Sequence, residues 1–536
     1  MISVLLLFVL AGVVVCSGLQ AVYQSEYANG WDGYYYLVQV QSLNNTGVMH
    51  SPEYSLVYLP LLALHAVTDD YVASYKLTAV FIKLLFVFSV FALSLSLLRS
   101  ARDTGNLRVC FTALLTAALT AMSPSLNYFF TQFPKNLLGF AFFFFFMASV
   151  FGTDRFFKSG KRRGGLYLRI PGVLLLFLAA FFTHRFSAVL SICFLVLYFA
   201  PPAKRRLSKW LTGERRKQGR LFLLIAILLL FFVLLLLISN RLPLAPSVHD
   251  LERITGDLSL RPIFVPASFI HSFGAVNISF PWLVEIMLAG VLPFLAIIIY
   301  LWRRRFSFLR FGRGYCVIMI LSLFGVFPFL RFSLTGISYR LFFGTLLMLP
   351  LIFLPYLHLA AGKMLILRRD TTPLKAGVLP VFIFLALLAS SLYTGRSYNP
   401  ELHDPPFGFY GEIAGKAVDA LSDVEFELII AHRSLAEMIT FKYEVDALPW
   451  APEEYFQRDR VWRITAGILR DEISYYLSPG AADSFFIRLS GDYGLLREDQ
   501  WEAFLVSIAD DRVMNDAVDN WRNPLDRRPV YLIKNR

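Results

Sequence analysis

Eleven apolar runs of 14 to 23 residues recur through the first 393 positions of this 536-residue chain. They fall at roughly 2–19, 76–98, 109–122, 137–153, 170–183, 186–200, 221–239, 282–302, 314–330, 341–361 and 376–393. Runs of about 20 apolar residues cross a bilayer as helices, because in hydrocarbon the backbone must satisfy its own hydrogen bonds. Charged residues are 17% of the chain, well below the roughly 25% of a soluble domain, which excludes a soluble globule and a disordered chain alike. The expected fold is an all-α polytopic membrane bundle of about 11 transmembrane helices over 1–393.

The net charge of +13 resembles a nucleic-acid signal until its distribution is examined. From 394 onward there are 16 Lys+Arg against 25 Asp+Glu, so the first 393 residues hold 35 of the 51 basic and 13 of the 38 acidic residues. Loops at 99–108, 154–169, 201–220, 303–313 and 362–375 carry 26 basic and 4 acidic residues. The alternate loops, at 20–75, 123–136, 184–185, 240–281 and 331–340, carry 7 basic and 8 acidic. This alternation follows the positive-inside rule, so the basic set is cytoplasmic and no nucleic-acid partner is expected. Two short arms, 170–183 and 186–200, form a hairpin tipped by His184 and Arg185, which keeps both basic flanks inside. The first run is read as a span rather than a cleaved signal peptide, since it lacks a positive n-region.

Residues 394–536 alternate strand-like pieces, FELIIAH at 426–432 and PVYLIKNR at 529–536, with helical patterns at 433–442 and 496–509. They are expected to form a soluble, extracytoplasmic mixed α/β domain. Cys16, Cys110, Cys193 and Cys316 are scattered among apolar runs with no zinc or disulfide spacing. No P-loop, GxSxG or dinucleotide fingerprint is present.

Polar residues on the outer side mark the candidate site. In WDGYYY, 31–36, Asp32 is an acid among aromatics. A carboxylate there can take a proton from an attacking hydroxyl, while Tyr34 and Tyr35 hold an acceptor. The bland alternative is a solvated Asp beside an interfacial aromatic belt. Glu26 and Glu53 are the competing acids of the same loop, and 55–67 reads as an interfacial helix. In FTQFPKN, 130–136, Lys135 either neutralises a lipid phosphate or snorkels from a helix end. His184 and Arg185 either bind phosphate or cap their turn. Arg331, Tyr339 and Arg340, in RFSLTGISYR, run against the charge trend and suggest an anionic partner, unless they pair with acids of the first loop.

A short first span and a long outer loop, with WDGYYYLVQVQSLNNTG at 31–47, HSPEYSLVYLPLLALHAV at 50–67 and FFTHRFSAVLSICFLVLYF at 181–199, resemble the GT-C superfamily of membrane glycosyltransferases. That superfamily includes protein O-mannosyltransferases, lipid A aminoarabinose transferases and oligosaccharyltransferase catalytic subunits. The resemblance implies a polyprenyl-phosphate-linked sugar donor in the bilayer and a saccharide, lipid or protein acceptor. It implies inverting transfer with Asp32 as general base, and Arg331 and Arg340 against the donor phosphate. The outer loop 123–136 has no second acidic motif, so a divalent metal, which some members use, finds no support there. The WWDYG acceptor motif of oligosaccharyltransferases is also missing. The rival class is a lipid-linked saccharide transporter without transferase activity. Internal repeats and more mid-span charge would favour it, but only Lys83 and Glu285 are candidates for such charge.

Overall fold

The computed structural model describes residues 2–30, 32–50, 55–100, 106–158, 164–210, 258, 261–273, 278–302, 312–330, 338–366 and 373–397. Beyond these it describes 428–431, 433–444, 447–448, 461–464, 493–497, 518–522 and 529–534. Helices dominate: α1 Ile2–Val22, α2 Gly33–Thr46, α3 Tyr58–Thr68, α4 Tyr71–Ser100, α5 Asn106–Ala121, α6 Pro124–Gln132, α7 Pro134–Lys158, α8 Gly164–Thr183 and α9 Arg185–Trp210. Then come α10 Val265–Phe273, α11 Phe280–Trp302, α12 Gly312–Phe324, α13 Ser338–Ile352, α14 Leu354–Ile366, α15 Pro373–Ser397 and α16 Arg433–Tyr443.

Each expected apolar run contains a helix except 221–239, which lies outside the described residues. By length and composition, four helices among the described residues can cross a membrane, or five if the bent pair α5–α6 is one span. Several others are shorter apolar helices, including both arms of the hairpin around His184. Short helices of this kind are tolerated where protein rather than lipid surrounds them.

The phenylalanines explain how the bundle packs. Apolar helices gain little by leaving lipid for one another, so van der Waals fit has to hold them together. The Phe run on α7 supplies it: Phe144 meets Phe86 of α4 at 5.3 Å between centroids, Phe143 meets Phe194 of α9, and Phe146 meets Phe177 of α8. All are buried. At the basic end, the Arg108 guanidinium donates to the His358 carbonyl oxygen at 2.7 and 3.0 Å, tying α5 to α14.

One expectation fails at 123–136, which is not a loop. Ser123 caps a new helix, its hydroxyl accepting from Leu126 N–H at 3.1 Å, and Pro124 sits at the first helical position. The resulting α6 bends 62° from α5, and Ser125 to Gln132 are all buried. Its polar residues interrupt the apolar run, yet they face protein and not lipid.

The first loop is also ordered into helices. α2 follows Asp32 and stops at Gly47, whose φ of 75° gives a left-handed cap. Helix α3 occupies most of the expected interfacial patch.

In the C-terminal region the described strands form two three-stranded sheets. One is parallel, in the order Ala447–Leu448, Leu428–Ala431, Val461–Ile464; the other is antiparallel, in the order Tyr493–Arg497, Pro529–Lys534, Val518–Arg522. The strand Tyr493–Arg497 takes the start of the helix expected at 496–509; the rest of that segment lies outside the described residues.

Candidate active site

Asp32 is the N-cap residue of α2, half-buried, with its carbonyl accepting from Tyr36 N–H at 3.1 Å. Its loop is pinned from several sides. The Tyr75 hydroxyl on α4 donates to the Asn29 carbonyl at 2.8 Å, and the Asn29 amide donates to the Val22 carbonyl at 3.0 Å. The Lys76 ammonium donates to the carbonyls of Ser25 and Glu26. Gly30, at φ 88°, lies against the last turn of α6: a Cβ there would stand 2.3 Å from the Thr131 carbonyl oxygen.

Three tyrosines from three helices gather at Asp32. The Tyr36 ring stacks on Tyr75 and meets Tyr58 edge-on, with both centroid distances 6.1 Å. Burial pushes the Tyr36 phenol well above its ordinary pKa, and the Asp32 charge adds to the shift. Burial likewise raises Tyr58, reinforced by Tyr35, Asp32 and Glu437, and the Tyr58 hydroxyl is hydrogen-bonded to Tyr35. These phenols stay neutral at physiological pH.

The other expected residues lie at this same end of the bundle. Ser55 Oγ donates to the Thr183 carbonyl at 3.0 Å and Leu56 N–H to the Phe182 carbonyl at 3.3 Å, so the first loop caps the end of α8 beside His184. Gly139 of α7 packs on the same turn, its virtual Cβ 2.9 Å from the His184 Cβ. Lys135 lies one helical turn before Gly139 on that face. Phe133, between α6 and α7, meets Tyr339 at 5.7 Å, and Arg340 Nε donates to the Tyr339 hydroxyl at 2.9 Å. Tyr339 and Arg340 are therefore in the first turn of α13 and not in a loop. Arg185 opens α9. Glu26 is exposed, while Arg331 and Glu53 lie outside the described residues.

Two contributions were not foreseen. Tyr58 and Tyr75 reach Asp32 from helices that the sequence separates from it by dozens of residues. Helix α16 covers α2: Phe441 packs on Tyr34 at 5.7 Å and Tyr71 at 5.8 Å, and the Gln41 amide donates to Glu444 Oε1 at 3.2 Å. The amphipathic pattern at 433–442 announced a helix but not its partner. Among the described residues, no three His, Cys, Asp or Glu side chains are grouped as a metal site.

No protein-family model matches the chain. No curated protein matches it by sequence. Solved structures do match by shape. ArnT from Cupriavidus metallidurans superposes with a TM-score of 0.52 at 12% identity, over 99% of this chain and 97% of that one, both in its apo state and bound to undecaprenyl phosphate. The chain has the ArnT fold. An oligosaccharyltransferase from Archaeoglobus fulgidus matches with a TM-score of 0.42 at 12% identity, over 98% of this chain and 74% of that one.

Proposed function

We propose that this chain is an integral membrane glycosyltransferase that moves a sugar from a polyprenyl-phosphate donor to an acceptor hydroxyl on the outer face. The observation that carries the reading is the Asp32 carboxylate set among Tyr36, Tyr58 and Tyr75, at the same end of the bundle as Lys135, His184, Tyr339 and Arg340. The ArnT fold, solved with undecaprenyl phosphate in that protein, supports it.

The acceptor hydroxyl passes its proton to Asp32 as its oxygen attacks the anomeric carbon. The bond from that carbon to the phosphate oxygen breaks, and its electron pair leaves with the polyprenyl phosphate. Configuration inverts. Lys135, Arg340 and the Arg185 turn balance the charge on the leaving phosphate, with positioning and charge stabilisation supplying most of the rate. Residues 394–536 lie outside the cell membrane in this reading, with α16 walling the acceptor side.

The test is Asp32→Asn, which keeps the shape and removes the proton acceptor. In lipid nanodiscs, transfer from undecaprenyl-phosphate-linked sugars should fall by ~10²–10⁴ while undecaprenyl phosphate still binds. Transfer at the wild-type rate would remove Asp32 from the mechanism. A wild-type chain that carries a labelled lipid-linked sugar across vesicles without transferring it would establish the transporter instead.

A further inference from the structure

The two charges within the apolar runs, Lys83 and Glu285, take no part in this chemistry, and both are buried. Glu285 of α11 accepts from the Ser123 hydroxyl and, at 3.0 Å, from Ser125 N–H, at the start of α6. Trp282, one turn earlier on α11, donates from its indole to Ser125 Oγ at 2.9 Å. Lys83 of α4 donates to Ser17 Oγ of α1 at 3.0 Å, and its ammonium lies 4.7 Å from the Phe130 ring centroid, in the last turn of α6. Among the described residues neither charge is paired with an opposite one.

What lies between them is α6. A helix carries about half a positive charge at its N-terminus and half a negative one at its C-terminus. The carboxylate sits at the first, and the ammonium lies over a side chain of the last turn. The last turn of that helix is the surface on which Gly30 rests, two residues before Asp32.

We propose that Glu285 and Lys83 are positioning residues: a buried charge pair, one member at each end of α6, that fixes this helix and through its last turn the loop that carries Asp32. The functional weight of this device rests on Asp32 being the reacting group, but the order of the loop can be measured without any substrate.

Hydrogen–deuterium exchange of the full chain in phosphatidylcholine nanodiscs reads that order directly. Glu285→Gln keeps an acceptor for Ser125 N–H and removes the charge together with the oxygen that accepts from the Ser123 hydroxyl. It and Lys83→Met should each speed exchange at residues 28–33 by about tenfold, with residues 173–183 of α8 unchanged as an internal reference. The double variant, neutral again, should recover most of the protection, and Lys83→Arg should match the wild type. Single variants that leave 28–33 protected, or a double variant that loosens as the product of the singles, would overturn the proposal. Should the singles fail to fold, a double variant that folds with 28–33 protected supports the pairing, and one that also fails overturns it. If Asp32→Asn transfers sugar normally, the catalytic reading falls while the exchange result stands.

Discussion

Gly30 and Gly47 offer a controlled comparison, because both are left-handed and only one is crowded. Gly30 has φ 88° and Gly47 φ 75°, so alanine at either pays the left-handed penalty of about 1–2 kcal/mol. At Gly47 a Cβ meets nothing within 4 Å. At Gly30 it would meet the Thr131 carbonyl oxygen at 2.3 Å and the Gln132 Cα at 2.9 Å, both backbone atoms that cannot swing aside. Ordinary contact needs about 1 Å more, and such overpacking adds about 1–3 kcal/mol. Gly30→Ala should therefore destabilise by about 2–5 kcal/mol against about 1–2 for Gly47→Ala, read by thermal unfolding in detergent. The functional effect should be larger. The loop relieves the clash by moving about 1 Å, a displacement that can cost about 100-fold in turnover. Sugar transfer should fall by that order in Gly30→Ala and stay within a few-fold in Gly47→Ala. Equal losses in the two variants would show that the contact between the first loop and α6 does not set the site.

Glu26 is exposed and accepts the Lys76 hydrogen bond with its backbone carbonyl, so Glu26→Gln should leave transfer within a few-fold of wild type where Asp32→Asn should lose most of it. The topology expected from the alternating basic loops puts residues near 450 outside and near 210 inside. A membrane-impermeant thiol reagent on intact cells, with the native cysteines replaced, should label a cysteine introduced at Pro452 and miss one at Leu211; the reverse pattern would move Asp32 to the cytoplasm.

Much of this was legible in the chain, for reasons that particular residues make plain. Asp32 stood out as an acid among aromatics beside an apolar run, and the structure places it at the start of α2. Local signals of that kind survive folding. The partners of Asp32 did not stand out, since Tyr58 and Tyr75 look like any interfacial tyrosines until helix packing brings them together. Helix α6 was hidden for the opposite reason. Asn127, Thr131 and Gln132 lower its hydropathy to that of a loop, and only burial inside the bundle makes such residues acceptable at membrane depth.

A last regularity joins sequence and structure. Three helices start at the candidate site with a basic residue in the first turn: Lys135 in α7, Arg185 in α9 and Arg340 in α13. A cation there opposes the positive end of the helix dipole, at a cost of about 0.3–1 kcal/mol each. All three also run against the charge bias expected for their side of the membrane. Under the proposed function these cations meet the donor phosphate, which matches both the helix ends and the side chains. Lys135→Gln and Arg340→Gln should cost the unliganded chain no more than about 0.5–1.5 kcal/mol in thermal unfolding, the worth of a contact such as that of Arg340 with Tyr339. The same variants should weaken undecaprenyl phosphate binding by about 10- to 150-fold, the worth of a charge-assisted contact of roughly 1.5–3 kcal/mol. Variants that lose stability and keep the lipid would mean that these cations hold the bundle together and do not read the donor.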